Sequence, residues 1–96
     1  MISAKEAYDL SAPNLEKYRA FINERIREAA ANGKLKIEIR EDPYGVWLYD
    51  ESRLSEKDAC AAKVIKELRN LGYTVSLYYS EGSQFVDMAL VISWEK

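Results

Sequence analysis

Histidine is absent from the 96 residues and cysteine occurs once, at Cys60. The first absence removes the side chain most often used as a general base or zinc ligand near neutral pH. The second excludes an internal disulfide and a cysteine-rich metal centre, and it points to a reducing compartment. There are only 4 glycines, at 33, 45, 72 and 82, each at a turn signal, so no phosphate-cradling Gly-rich loop exists. Neither sign of charge dominates: 14 basic residues face 16 acidic ones, for a net charge of −2. That argues against a nucleic-acid binder, whose domains are usually basic, and it is too small an acidic excess for a DNA mimic. No apolar run approaches the ~20 residues of a membrane span. The start, Met1-Ile2-Ser3-Ala4-Lys5-Glu6, lacks the basic and apolar regions of a secretory signal. These absences lead us to expect a cytosolic protein with no membrane association, no metal and no cofactor.

What is present is an ordinary globular composition, 48% hydrophobic and 31% charged, sized for a single domain over residues 1–96. Ser3 and Glu6 have capping-box spacing, predicting a short helix over 4–10 that Ser11-Ala12-Pro13-Asn14 interrupts. A main helix is expected from about Pro13 to Ala31, with Leu15, Tyr18, Ile22, Ile26 and Ala29 as its apolar stripe. Asn32-Gly33 ends it. Residues 34–40, Lys-Leu-Lys-Ile-Glu-Ile-Arg, alternate as a strand with Leu35, Ile37 and Ile39 on one face. Asp42-Pro43-Tyr44-Gly45 has type I turn chemistry, and Val46 to Tyr49 reads as a short returning strand.

Ser55 is the expected N-cap of a second helix whose stripe is Ala61, Val64, Ile65, Leu68 and Leu71, stopped at Gly72. Tyr73 to Tyr79 follows as a strand, with Tyr73, Val75, Leu77 and Tyr79 on one face. Glu81 to Gln84 turns the chain into a last strand over Val86 to Trp94. This strand is the most continuously apolar and therefore central. The expected fold class is α+β: a two-layer sandwich with two long helices packed on one face of a three- to four-stranded, mostly antiparallel sheet, in the order α-β-(β)-α-β-β. Its core should comprise Ile22, Ile26, Val64, Ile65, Leu68, Ile37, Leu77, Leu90 and Ile92.

The loop from Glu41 to Arg53 gathers Tyr44, Trp47 and Tyr49 among charged residues. Aromatics and arginine dominate binding hot spots, which makes the loop a candidate contact surface flanked by Arg40 and Arg53. The alternative is that Trp47 closes the core and the tyrosines pave its rim. Tyr78 and Val91 would point away from the helices, which leaves an open sheet face or outer strand available for self-association. A pocket lined by Arg40, Tyr44 and Tyr78 would favour a small anionic ligand. The carboxylates Asp42, Asp50, Glu51 and Asp87 show no calcium-loop spacing and read as structural or solvated. Cys60 lies beside the helix stripe as a packing residue, with no histidine to activate it.

Four stretches taken together carry a resemblance: Ile2-Ser3-Ala4-Lys5-Glu6-Ala7; Ile22-x-x-x-Ile26-x-x-Ala29-Ala30-x-x-Gly33; Ile65-x-x-Leu68-x-x-Leu71-Gly72-Tyr73-x-Val75; and Ile92-Ser93-Trp94. The arrangement resembles small proteins that recur in tailed-bacteriophage genomes, with residues 41–53 longer here than in that group. The resemblance implies a small viral protein in the host cytoplasm and transfers no catalytic residues. With no histidine, cysteine cluster or phosphate loop, the expected role is that of a non-enzymatic accessory protein. Its expected partner is a host or phage protein, including a defence-related factor, or a small anionic ligand. The alternative is a minor structural component of the virion. Partner-binding candidates are Arg40, Tyr44, Trp47, Tyr49, Arg53 and Tyr78.

Overall fold

In the computed structural model the first helix, α1, runs without interruption from Ala4 to Ala31. The structure describes residues 1–95, without the side chains of Tyr8, Asp9, Ser11 and Ala12. Ser3 caps α1 as expected, accepting from the Glu6 N–H at 3.1 Å. The expected break at Ser11–Asn14 does not occur, and Pro13 lies inside the helix. Its ring already has a helical φ, and it sits on the exposed side, where water can serve the carbonyl left without a donor.

Helix α1 ends as the Asn32-Gly33 signal requires. Gly33 adopts φ 77°, its N–H donates to Ala30 O, and the Lys34 N–H reaches back to Ala29 O, both at 3.0 Å. These two bonds satisfy carbonyls that the last turn would leave open. The same geometry recurs at Gly72, φ 102°, where the Tyr73 N–H donates to Leu68 O at 3.1 Å.

Strand β1 spans Lys36–Ile39. Leu35 was expected on its inner face but is exposed, because regular pairing with the last strand begins one residue later. Between β1 and the next helices the chain makes two 3-10 turns, Tyr44–Val46 and Glu51–Arg53, and no returning strand. Trp47 and Leu48 are both buried, which consecutive residues of a one-sided strand cannot be. The expected type I turn is also replaced: Gly45 N–H donates to Glu41 O at 3.1 Å, one residue further back.

Helix α2 is a single turn, Leu54–Lys57, and α3 spans Ala59–Asn70. The expected N-cap Ser55 lies within α2 and caps nothing. Asp58 caps α3 instead, its extended backbone separating the two helices and its Oδ1 accepting from the Ala61 N–H at 3.1 Å. Strands β2, Thr74–Glu81, and β3, Val86–Ser93, form a hairpin. Strand β3 is central, as its apolar run predicts, and antiparallel to both neighbours in the order β1-β3-β2.

The protein is therefore α+β with a three-stranded antiparallel sheet. Helices α1 and α3 pack together, α1 against β1 and α3 against β2. Ile22, Val64, Ile65, Leu68, Ile37, Leu90 and Ile92 are buried as expected, whereas Ile26 and Leu77 are only partly buried against them. Tyr79, expected inward, is exposed near the hairpin end of β2, beyond the part of β3 that pairs with β1.

Candidate functional site

The candidate residues separate into a buried group and an exposed one. Tyr44 and Trp47 are each 3% exposed. Tyr44 stacks on Phe21 at 4.3 Å with the rings nearly parallel, and Trp47 meets the edge of Tyr18 at 4.9 Å. Edge-to-face and stacked pairs of this kind add to the area the rings bury. Trp47 thus closes the core against α1, and neither it nor Tyr44 forms the contact surface expected of the loop. Burial first, and the nearby Glu41 charge second, push the Tyr44 phenol above its ordinary value. The Trp47 Nε1–H is buried without a hydrogen-bond partner among the described residues. The turn holds this position because Gly45 passes against β1: a Cβ there would lie 2.8 Å from the Arg40 carbonyl oxygen.

Tyr49 is 61% exposed and stacks against Tyr79 at 6.0 Å. Arg53 is exposed beside Glu56, at 3.8 Å, before the first turn of α2. The structure joins neither of these to Arg40.

Arg40 and Tyr78 do come together. They lie on the sheet face opposite the core, Arg40 just beyond the end of β1 and Tyr78 on β2, and the guanidinium sits 5.7 Å from the centre of the Tyr78 ring. Arg40 must cross β3 to reach it. Ala89, opposite Tyr78 in the register, has a side chain small enough to leave that path open, and it is fully buried. Asp87, two residues along β3 on the same face, fixes the guanidinium through Nε at 3.0 Å and Nη2 at 3.2 Å. Glu38 adds a third contact at 3.3 Å. The Asp87 hydrogen bonds are the largest cause raising the Arg40 pKa above its ordinary value. The result is a planar cation held over an aromatic ring by a forked carboxylate, which fixes both side chains at modest entropic cost.

Sequence reasoning missed Asp87 and Ala89 as site residues. The available signal was an alanine in the middle of an otherwise bulky apolar run, with an acid two positions earlier. Of the other carboxylates considered, Glu51 pairs with Arg69 and Asp50 with Lys57. The pocket that would have favoured a small anionic ligand, lined by Arg40, Tyr44 and Tyr78, does not form, because Tyr44 lies in the core and Tyr78 on the outer face. Arg40 instead borders an open groove of about 700 Å³ between α1 and β1, with Arg25, Glu28, Lys36 and Glu38 along it. Among the described residues no group of three or more His, Cys, Asp or Glu is placed to hold a metal, and no helix is long and apolar enough to cross a membrane.

Comparison of the chain with protein-family models, with curated proteins and with solved structures gives no match.

Proposed function

We propose that this is a non-enzymatic binding protein of the bacteriophage accessory kind, acting in the host cytoplasm on a host or phage protein. The observation that carries the reading is the Arg40–Tyr78 pair, braced by Asp87 on the solvent-facing side of the sheet. Arginine and tyrosine dominate protein hot spots, and a pair fixed before binding loses little freedom when a partner covers it. The Arg40 charge is already matched by Asp87 and Glu38, which favours a protein surface over a small anion. Two layers, with α1 and α3 covering the inner sheet face, would leave this outer face free for the partner. The phage assignment rests on the sequence resemblance alone.

The test pairs a pull-down from infected-cell lysate with mass spectrometry of purified particles. Wild type should capture a defined protein that Arg40→Ala fails to retain, and Arg53→Ala should behave as wild type. Undiminished capture by Arg40→Ala would overturn the assignment of the surface. Stoichiometric presence in particles, with no capture, would favour the virion-component alternative.

A further inference from the structure

Strand β2 is an outer strand of eight residues with a continuous register against β3, from Thr74↔Ser93 to Glu81↔Val86. The direction of its backbone groups follows from the end of the hairpin, where the Gly82 N–H donates to Phe85 O at 2.8 Å. In an antiparallel ladder alternate residues bond the neighbour. The even-numbered residues of β2 therefore face β3, and Val75, Leu77, Tyr79 and Glu81 turn their N–H and C=O groups outward. Arg69 fits this parity, since its Nη2 donates to the outward Val75 carbonyl at 2.9 Å. Among the described residues nothing bonds the outward groups of Leu77 and Tyr79.

Natural outer strands are usually blunted by lysine, proline, a bulge or shortness. Strand β1 fits that rule, being four residues long with Lys36 and Glu38 on it and Arg40 just beyond. Strand β2, Thr-Val-Ser-Leu-Tyr-Tyr-Ser-Glu, has neither lysine nor proline, and Arg69 covers its edge only at Val75, leaving Leu77 and Tyr79 open. Tyr78 and Tyr79 are exposed on it, as are Phe85 and Val86 at the hairpin end.

We propose that β2 pairs antiparallel with β2 of a second copy, giving a two-fold dimer with one six-stranded sheet. The parity of the outward groups allows a two-fold axis at residue 77, 78 or 79. An axis at 79 would set the Glu81 carboxylate against half-buried Leu77, and an axis at 77 would leave the outward groups of Glu81 without a partner in β2. An axis at Tyr78 matches all four outward residues, 75, 77, 79 and 81, within β2. It places Leu77 opposite Tyr79 of the second copy, Tyr78 opposite its own equivalent, and Glu81 opposite Val75. Arg69 already holds that Val75 carbonyl and pairs with Glu51, so the Glu81 carboxylate of the other copy would approach a guanidinium shared with Glu51. The ladder bonds would fall at Leu77 and Tyr79. Opposite charges and aromatic pairs at facing positions both favour such a ladder. This inference stands on the strand edge and does not depend on the partner surface proposed above.

Light scattering with amide hydrogen exchange tests it. Wild type at high micromolar concentration should have twice the 11.0 kDa chain mass. The Leu77 and Tyr79 amides should then exchange as slowly as those of Tyr78 and Ser80, and speed up on dilution. Tyr78→Lys and Tyr78→Glu each place like charges face to face and should weaken the dimer roughly tenfold or more. An equimolar mixture of the two should restore it. A monomer at every concentration, or a dimer in which Leu77 and Tyr79 still exchange fast, overturns the proposal. Should either variant fail to fold, the wild-type amide pattern decides alone.

Discussion

The Tyr18 hydroxyl donates to Asp58 Oδ2 at 2.7 Å, while the other oxygen of the same carboxylate caps α3. One side chain thus starts a helix and ties it to the middle of α1. Tyr18→Phe removes a bond to a charged acceptor and should cost about 1.5–3 kcal/mol. Asp58→Ala should cost more, because losing the cap adds about 1 kcal/mol. Urea unfolding of both variants measures the difference.

The same contact predicts behaviour in alkali. Burial, then the Asp58 hydrogen bond and charge, push the Tyr18 phenol up to about 12 from 10.0. The folded state therefore holds this proton more tightly than the unfolded chain does. Its contribution is fully present below pH 10 and is lost as pH rises through about 12. The stability advantage of wild type over Tyr18→Phe should shrink across that window and hold constant between about pH 7 and 9.

Acid should act through a different pair. The Arg19 guanidinium forks onto both oxygens of Glu67, joining α1 to α3 and holding the Glu67 carboxyl below its ordinary value. A lowered carboxylate pKa stabilises the fold above the unfolded value near 4.5 and ceases to as pH falls through the folded value. Both side chains are about one-third exposed, so solvent screens the pair. A double-mutant cycle of Arg19→Ala and Glu67→Ala should give a coupling of about 0.5–1 kcal/mol at pH 7, vanishing in acid.

Gly45→Ala tests the close approach of the turn to β1. The added methyl would meet backbone, which cannot swing away as a side chain would. A loss of about 1–3 kcal/mol is expected. Gly82→Ala, with 3.4 Å to its nearest neighbour, should be close to neutral in the same denaturation series.

The apolar stripes of the two long helices, their Gly33 and Gly72 endings and the central place of β3 are legible in the residue pattern, because each follows from local periodicity and turn chemistry. The break expected at Ser11–Asn14 is absent, because Pro13 is accommodated on the exposed side of a continuous α1. The segment from 41 to 58 is not, because distant residues decide it. Val46-Trp47-Leu48-Tyr49 has strand-forming residue types, but Trp47 and Leu48 are both drawn into the core shared with Tyr18 and Phe21 on distant α1. Ser55 and Asp58 are equally good caps by type. Tyr18, 40 residues away, accompanies the choice of Asp58. Of the six site candidates, the pairing of Arg40 with Tyr78 depends on Asp87 and Ala89, on a strand whose register no local signal sets.

The measurement that bears most directly on the account compares Trp47→Ala with Arg40→Ala for both melting and partner capture. If Trp47 closes the core, its truncation should cost about 3–5 kcal/mol, lowering the melting temperature by more than roughly 10 °C. Arg40→Ala removes an exposed ion pair and should stay within about 1 kcal/mol of wild type while losing the captured partner. A Trp47→Ala variant that melts like wild type yet captures nothing, beside an Arg40→Ala variant that captures fully, would contradict the account and return the contact surface to the 41–53 loop.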